Sequence, residues 1–382
     1  MTNQIPFNKP YFSSSAIHYV EQCLHSGLVS GDRQFTKEVK SFIEKTFSIK
    51  ECLLTTSCSS ALDISCLLLD LKPGDEVILP SFTFVSTANS VVLRGARPVF
   101  VDIDNYLNID ISKIEEYITK RTKAIIPVHY AGCSCDMELL QEIAKKYNIP
   151  VIEDAAQACD AKYKDKYLGS IGDLGAYSFH ETKNLSCGEG GALLVNNEVY
   201  KDRAEIIREK GTNRTKFFRG CVDKYTWCDI GSSFLMSDIL SSVLLSQLEN
   251  KDIIRKKREY VFNKYNKAFL DLEKSNKLRR IQIPKYNTPN YHIFYLILNS
   301  EKERNLLLDY LHQRQIGAVF HYIPLHLSQM GTRLGYKKGE FSNTESLSSR
   351  LIRLPLFAEL QDQQIDYIVE SVYSFYKELY HG

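Results

Sequence analysis

Short apolar runs recur through the first half of the chain, each followed by a stretch whose apolar positions keep helical spacing. Ser57-Cys58-Ser59-Ser60 leads into ALDISCLLLDL, an apolar helix. Lys72-Pro73-Gly74-Asp75 reads as a turn and EVILP after it as a short buried strand. Residues 86–94 read as a helix, PVFVDI at 98–103 as a strand and AIIPVHY at 124–130 as another. A helix follows near 136–147, then the strand IPVIED at 149–154. Apolar strands alternating with helices predict an α/β fold, with a mostly parallel sheet covered on both faces. After residue 170, AYSF and GGALLVN read as strands and KGTNRTKFFRG at 210–220 as a polar loop. Residues 236–272 read as one or two long helices, with SDILSSVLLSQLE amphipathic. From about residue 280 the pattern changes to HIFYLIL, a strand, then LLLDYLHQRQ, a helix. That change predicts a large α/β domain over 1–250 and a smaller α+β domain over 251–382.

Composition narrows the function classes. The 382 residues are 44% hydrophobic and 25% charged, ordinary for a globular chain with large cores. The 48 basic and 46 acidic residues leave a net charge of +2, so no general pull toward nucleic acid or membrane is expected. MTNQIPFNKP lacks the basic and apolar regions of a signal peptide, and no apolar run approaches the ~20 residues needed to span a bilayer. The 10 cysteines are scattered without paired CxxC spacing. They read as reduced thiols, several buried, in a cytoplasmic protein without a structural metal.

Two residues carry the candidate chemistry. Lys183 follows AYSFH and precedes the small-residue run Cys187-Gly188-Glu189-Gly190-Gly191, where a side chain can project into a cleft. A lysine in apolar or cationic surroundings has a depressed pKa, and its free amine can attack an aldehyde. By itself the segment also reads as a solvated loop lysine. Asp154 ends the apolar strand IPVIED, where open parallel sheets present ligand groups. A carboxylate there can pair with the protonated ring nitrogen of pyridoxal phosphate (PLP), keeping the ring an electron sink. It can equally cap a helix beginning AAQA. Gln157 can reach the ring hydroxyl. Ser57, Cys58 and Ser59 precede a helix start, a natural phosphate site, though plain N-capping explains the serines as well. Ser178 can add a hydroxyl, and Phe84 can stack on a flat ring or pack in the core. The GEGG run leads into a strand, which excludes a dinucleotide fingerprint.

Together these segments resemble the DegT/DnrJ/StrS family of PLP-dependent sugar aminotransferases. The resemblance starts at SGLVSGDRQFTKEVKSFIE, runs through TTSCSSALD, LPSFTFVSTAN, VIEDAAQA and SFHETKN, and ends with FHYIPLH and RLPLF. It implies the fold type I architecture of aspartate aminotransferase, a mostly parallel seven-stranded sheet between helices with a smaller α+β C-terminal domain. It implies PLP as cofactor and a homodimer with shared active sites. Lys183 matches the family's Schiff-base lysine, and Asp154 the partner of the pyridine nitrogen. Gln157 lies near the ring hydroxyl, Phe84 stacks on the ring, and Cys58, Ser59 and Ser178 hold the phosphate. Where many members carry an N-[FY]-R-M motif across the subunit interface, this chain has Ser233-Phe234-Leu235-Met236, so Ser232 or Ser233 stands in for the asparagine and the arginine is missing.

SFHETKN, REKGTNRTKFFRG and YTWCDIGSSFLMSD are similar to the family's dTDP-4-amino-4,6-dideoxygalactose transaminases. That subgroup implies L-glutamate as donor and dTDP-4-keto-6-deoxyglucose as acceptor. Arg214, Lys216, Phe217, Phe218 and Arg219 are candidates for the nucleotide, across a dimer interface, or form an exposed loop. His321, Tyr322 and His326 line the sugar pocket or are satisfied structurally. Three other readings stay open: a 3-keto or UDP- or GDP-linked sugar; a sugar dehydratase, where histidine replaces the lysine and His180 is near; and a silent scaffold.

Overall fold

The computed structural model describes residues 4–381. The central sheet has β1 (Glu51–Thr55), β2 (Glu76–Pro80), β3 (Arg97–Val101), β4 (Thr122–Ile125), β5 (Ile152–Asp154), β6 (Leu174–Ser178) and β7 (Gly191–Val195). Their spatial order is β1-β7-β6-β5-β4-β2-β3. Among these strands β7 runs antiparallel to both neighbours, and the pairs from β6 to β3 are parallel. The expected mostly parallel seven-stranded sheet is therefore present. β4 meets β5 only through the bridges Ile125–Val151 and Val128–Asp154. The sequence predicts strand as far as residue 130, but Pro127 has no N–H to give and regular pairing ends at Ile125.

Helices cover both faces, which is why β1, β2, β6 and β7 are buried throughout. The helices of this part are α1 (Ser14–Ser26), α2 (Gln34–Phe47), α3 (Cys58–Leu68), α4 (Val85–Val92), α5 (Met137–Tyr147), α6 (Lys201–Arg208), α7 (Arg214–Phe218), α8 (Asp238–Glu249) and α9 (Lys251–Ala268). α1, α2, α5 and α8 share one core with Cys52 and Leu54 of β1. α3, α4 and α6 share another with Leu53, on the opposite face, as alternation along a strand requires. In α2 the buried Phe35, Val39, Ile43 and Phe47 form one stripe along the helix.

Two local expectations fail for physical reasons. The polar segment at 210–220 contains a turn of helix, α7, because Lys216 pairs with Asp202 at 2.7 Å and Arg219 with Glu205 at 2.6 Å, docking it against α6. No helix begins at AAQA. The side-chain amide of Asn290 donates to the carbonyls of Gln157 and Cys159, both at 2.9 Å, and residues 155–160 fold as turns instead.

Beyond α9, β8 (Leu278–Arg280), β9 (Phe294–Leu298) and β10 (Leu351–Leu354) form an antiparallel sheet in that order. Helices Glu301–Gln313 and Asp362–His381 accompany it around a core with Phe294, Leu296, Leu307 and Ile368. Ile5 bridges Ile316, bringing the N-terminal segment to this part of the molecule. Among the described residues no helix is long and apolar enough to cross a membrane.

Candidate active site

The C-terminal ends of β5 and β6, the start of α3 and loops around β9 and β10 enclose a cavity of about 470 Å³. Ligands of open α/β sheets bind at such strand ends. A wider groove of about 830 Å³ runs beside α5, but none of the residues singled out from the sequence lines it. The smaller cavity gathers Ser57, Cys58, Ser59, Phe84, Asp154, Gln157, Ser178, Lys183, His321 and Tyr322 from across the chain.

Ser57 is the N-cap of α3, its Oγ accepting from the Ser60 N–H at 3.1 Å. Its side chain therefore serves the helix, while the first-turn N–H groups after it have no intrahelical acceptor. Gly191 lies directly beneath this turn. A Cβ there would stand 2.3 Å from the Ser57 carbonyl carbon and 2.4 Å from the Cys58 nitrogen, both backbone. Gly191→Ala is expected to push α3 off its seat, costing about 1–3 kcal/mol of stability and weakening retention of a phosphate-bearing ligand. Denaturant titration and cofactor titration check this; unchanged values in both would contradict it.

Asp154 lies on the cavity floor. Thr87 Oγ1 donates to its Oδ2 at 2.7 Å and the Ala156 N–H to its Oδ1 at 3.2 Å. Burial pushes its pKa up, while those bonds and the nearby Lys183 charge pull it back. Lys183 is half-buried on the cavity wall. Burial pulls its pKa below the usual lysine value; the Asp154 carboxylate opposes this, and the Arg353 cation reinforces it. Burial raises the Cys58 thiol well above its ordinary value, keeping it neutral.

Glu153, one residue before Asp154, faces a different set of donors. It accepts N–H bonds from Gly169 at 2.8 Å and from Ile171 and Gly172 at 2.6 Å, and His129 Nε2 donates to it at 2.8 Å. Phe84 is 56% exposed at the cavity wall, so core packing is not its role. Gln157 donates to the Tyr322 hydroxyl at 3.0 Å and accepts from the Ala131 N–H at 2.8 Å. His321 Nδ1 lies 3.0 Å from the Tyr130 hydroxyl, and burial holds its pKa well below the usual histidine value.

A poised amine, a buried carboxylate and a helix start with free N–H groups form one donor set. It suits an aromatic aldehyde that carries a phosphate and a basic ring nitrogen. The family comparison decides the matter, since a model of the DegT/DnrJ/EryC1/StrS aminotransferase family matches residues 11–373. The chain belongs to that family. DegT-family aminotransferases use PLP, and PLP is the cofactor of this chain. The chain is 33% identical to the spore coat polysaccharide biosynthesis protein SpsC of Bacillus subtilis over 96% of each chain. The Streptococcus pneumoniae protein Spr1654, solved in apo, PMP and PLP forms, superposes its apo form with a TM-score of 0.91 at 26% identity, covering 98% of both chains. Helicobacter pylori PseC, an aminotransferase of pseudoaminic acid biosynthesis, superposes with a TM-score of 0.90 at 26% identity, over 98% of this chain and 100% of its own.

Several expected contacts are not made within this DegT-family chain. His326 does not line the cavity. It is fully buried between Ser81 Oγ at 2.7 Å from Nδ1 and Glu345 at 3.1 Å from Nε2, tying two distant segments together. Arg214 and Phe218 lie on α7 and Arg219 directly follows it, and none of the three lines the cavity of their own chain. Arg214 pairs with Glu209 and Arg219 with Glu205, and Phe218 is 69% exposed. Ser232 and Ser233 are exposed and also lie outside this cavity. Conversely, Phe7, Thr83, Ser86, His292 and Arg353 line the cavity and were not singled out from the sequence. His292 Nδ1 lies 2.8 Å from Asn184 Oδ1, which fastens the loop bearing Lys183 to the residues leading into β9.

Proposed function

We propose that this DegT-family aminotransferase moves an amino group from L-glutamate to the 4-keto carbon of a nucleotide-linked 6-deoxy sugar. The reading takes dTDP-4-keto-6-deoxy-D-glucose as acceptor and dTDP-4-amino-4,6-dideoxy-D-galactose as product. The observation that carries it is Lys183, an amine with a depressed pKa in the cavity that Asp154 floors. In this reading Lys183 holds PLP covalently, Asp154 faces the ring nitrogen, Gln157 the ring hydroxyl and Phe84 the ring face. The first turn of α3 and Ser178 receive the phosphate. Bound there, PLP supplies an electron sink for the carbon that loses a proton. The amine of Lys183, once free, takes the α-proton of the donor at its Nζ and returns one to the sugar carbon in the second half of the cycle. Its tether keeps it beside the migrating proton in both halves. Tyr322, held by Gln157, and His321, held by Tyr130, wall the side where the sugar enters.

A homodimer completes this reading, with α7 and Ser233 of one subunit facing the nucleotide and phosphate in its partner. SpsC and PseC are named for biosynthesis of a polysaccharide and of pseudoaminic acid, which supports a sugar substrate. L-Glutamate offered with a panel of 3-keto and 4-keto sugars on dTDP, UDP and GDP tests the assignment. Amination confined to 3-keto sugars, or to another nucleotide, would overturn the substrate named here.

The depressed Lys183 pKa gives a signed pH dependence. Below its pKa the ammonium cannot attack an aldehyde, so PLP capture by the cofactor-free protein rises with pH. Its half-point is expected below the ordinary lysine value of 10.5. Stopped-flow absorbance against pH measures it, and a half-point at or above that value would contradict the assignment.

A further inference from the structure

Few donors hold the Asp154 carboxylate. Among the described residues its side chain accepts only from the Thr87 hydroxyl and the Ala156 N–H. Lys183 and His129 act on it through space. The Cys58 thiol and the Tyr322 phenol are also near, and burial keeps both neutral. Burial favours the protonated acid at Asp154 too, so each hydrogen bond to the ionised form carries weight. The stronger of its two donors is itself held. Thr87, in α4, is fully buried, and its Oγ1 lies 2.8 Å from the Oγ1 of Thr83. A hydroxyl has one proton to give, and an ionised carboxylate can only accept. The Thr87 proton therefore points to Asp154 Oδ2 at 2.7 Å, and Thr83 is the donor between the two threonines. Threonine inside a helix often returns its proton to the carbonyl four residues back. Thr87 gives its proton to another element instead. Thr83 is buried and lines the cavity.

We propose that the Thr83–Thr87 hydroxyl chain is a positioning device that keeps Asp154 the weaker base, so that a proton shared with the ring nitrogen of PLP stays on the nitrogen. The inference rests on the reading that pairs Asp154 with that nitrogen, and adds what sets the balance. A carboxylate and a pyridine nitrogen facing each other hold one proton between them, and the more basic of the two keeps it. A hydrogen bond given to the carboxylate stabilises its charged form and lowers its basicity. Thr83, by donating to Thr87, polarises the second hydroxyl and strengthens the bond that it gives. Without the Thr87 hydroxyl, Asp154 accepts from the Ala156 N–H alone in an enclosed site. Asp154 then draws the proton from the nitrogen to a carboxylate oxygen, and nothing else moves. The ring loses its positive charge and with it much of its pull on electrons. Phe84 stands between the two threonines in the sequence, so one short segment supplies both the stacking ring and the hydroxyl chain.

PLP labelled with nitrogen-15 in its ring and bound to the full chain tests this, because the NMR shift of that nitrogen reports its protonation without any turnover. In the wild type the signal should stand near the protonated value, and in Asp154→Asn near the unprotonated one. Thr87→Val keeps nearly the same shape and removes the hydroxyl. It is expected to move the distribution of the proton about 10- to 100-fold toward Asp154, the weight of one hydrogen bond to a charged group. Thr87→Ser should restore the wild-type signal, and Thr83→Val should displace it less, in the same direction. A role confined to packing would leave the signal in place in every threonine variant that folds. A Thr87→Val signal at the wild-type position would overturn the proposal, as would a Thr87→Ser signal displaced as far as that of Thr87→Val. A wild-type signal at the unprotonated value, or one that Asp154→Asn leaves in place, would instead overturn the pairing of Asp154 with the ring nitrogen, and the hydroxyl chain would fall with it.

Discussion

Lys183→Ala is expected to lower transamination by at least about 10⁴-fold, the combined value of a positioned general base and a tethered covalent anchor. The cofactor should still bind, through the α3 turn and Asp154, but reversibly and without covalent attachment. Borohydride reduction followed by peptide mapping tests the assignment directly. The reduced cofactor should lie on Lys183 in the wild type and on no residue in the variant. Reduced cofactor on another lysine, or normal turnover by Lys183→Ala, would end the account. Lys183→Arg is the stricter comparison, since it keeps the positive charge in the cavity and removes only the titratable amine. It too should be inactive.

Asp154→Asn is expected to cost roughly 10²- to 10³-fold in rate, equivalent to about 3–4 kcal/mol, because in the proposed reading it removes the anion opposite the ring nitrogen. Asparagine can still accept from the Ala156 N–H and can donate its amide to the Thr87 hydroxyl, so the fold should persist. The diagnostic readout is the absorption of bound cofactor across pH. With the carboxylate present the ring nitrogen should stay protonated well above its solution pKa; with the amide it should not. Unchanged kinetics in Asp154→Asn would remove Asp154 from the mechanism.

The strand-and-helix alternation from residue 57 to 154 was legible because each element carries its own apolar run, and α3, α5, β2, β3 and β5 follow it. Lys183 and Asp154 were legible because each sits at a strand end beside a distinctive local run. Arg353 was not assigned, although it stands inside the RLPLF run that carries part of the family resemblance. One arginine in an apolar strand gives no sign of whether an acid awaits it. The answer depends on Phe7, Tyr130 and Tyr322, which come from three other places in the chain. His326 misled for the same reason, since Ser81 and Glu345 supply its partners from remote segments. α7 was missed because charge pairing with α6, and not periodicity, holds its single turn.

The adjacent acids at the end of β5 have opposite duties. Glu153 is caged by three backbone N–H groups and His129, while Asp154 lines the cavity. Sliding the strand by one position would seat Asp154 in the cage with Ala155 at the cavity, or Glu153 at the cavity with Ile152 in the cage. Either way one of the two places holds an acid of the wrong length and the other holds no acid. Inserting or deleting a single amino acid between residues 149 and 153 should therefore damage folding and chemistry together, whereas the same change on the surface segment at 220–225 disturbs neither core. β5 is keyed from both faces, so evolutionary length variation in this protein has to occur elsewhere.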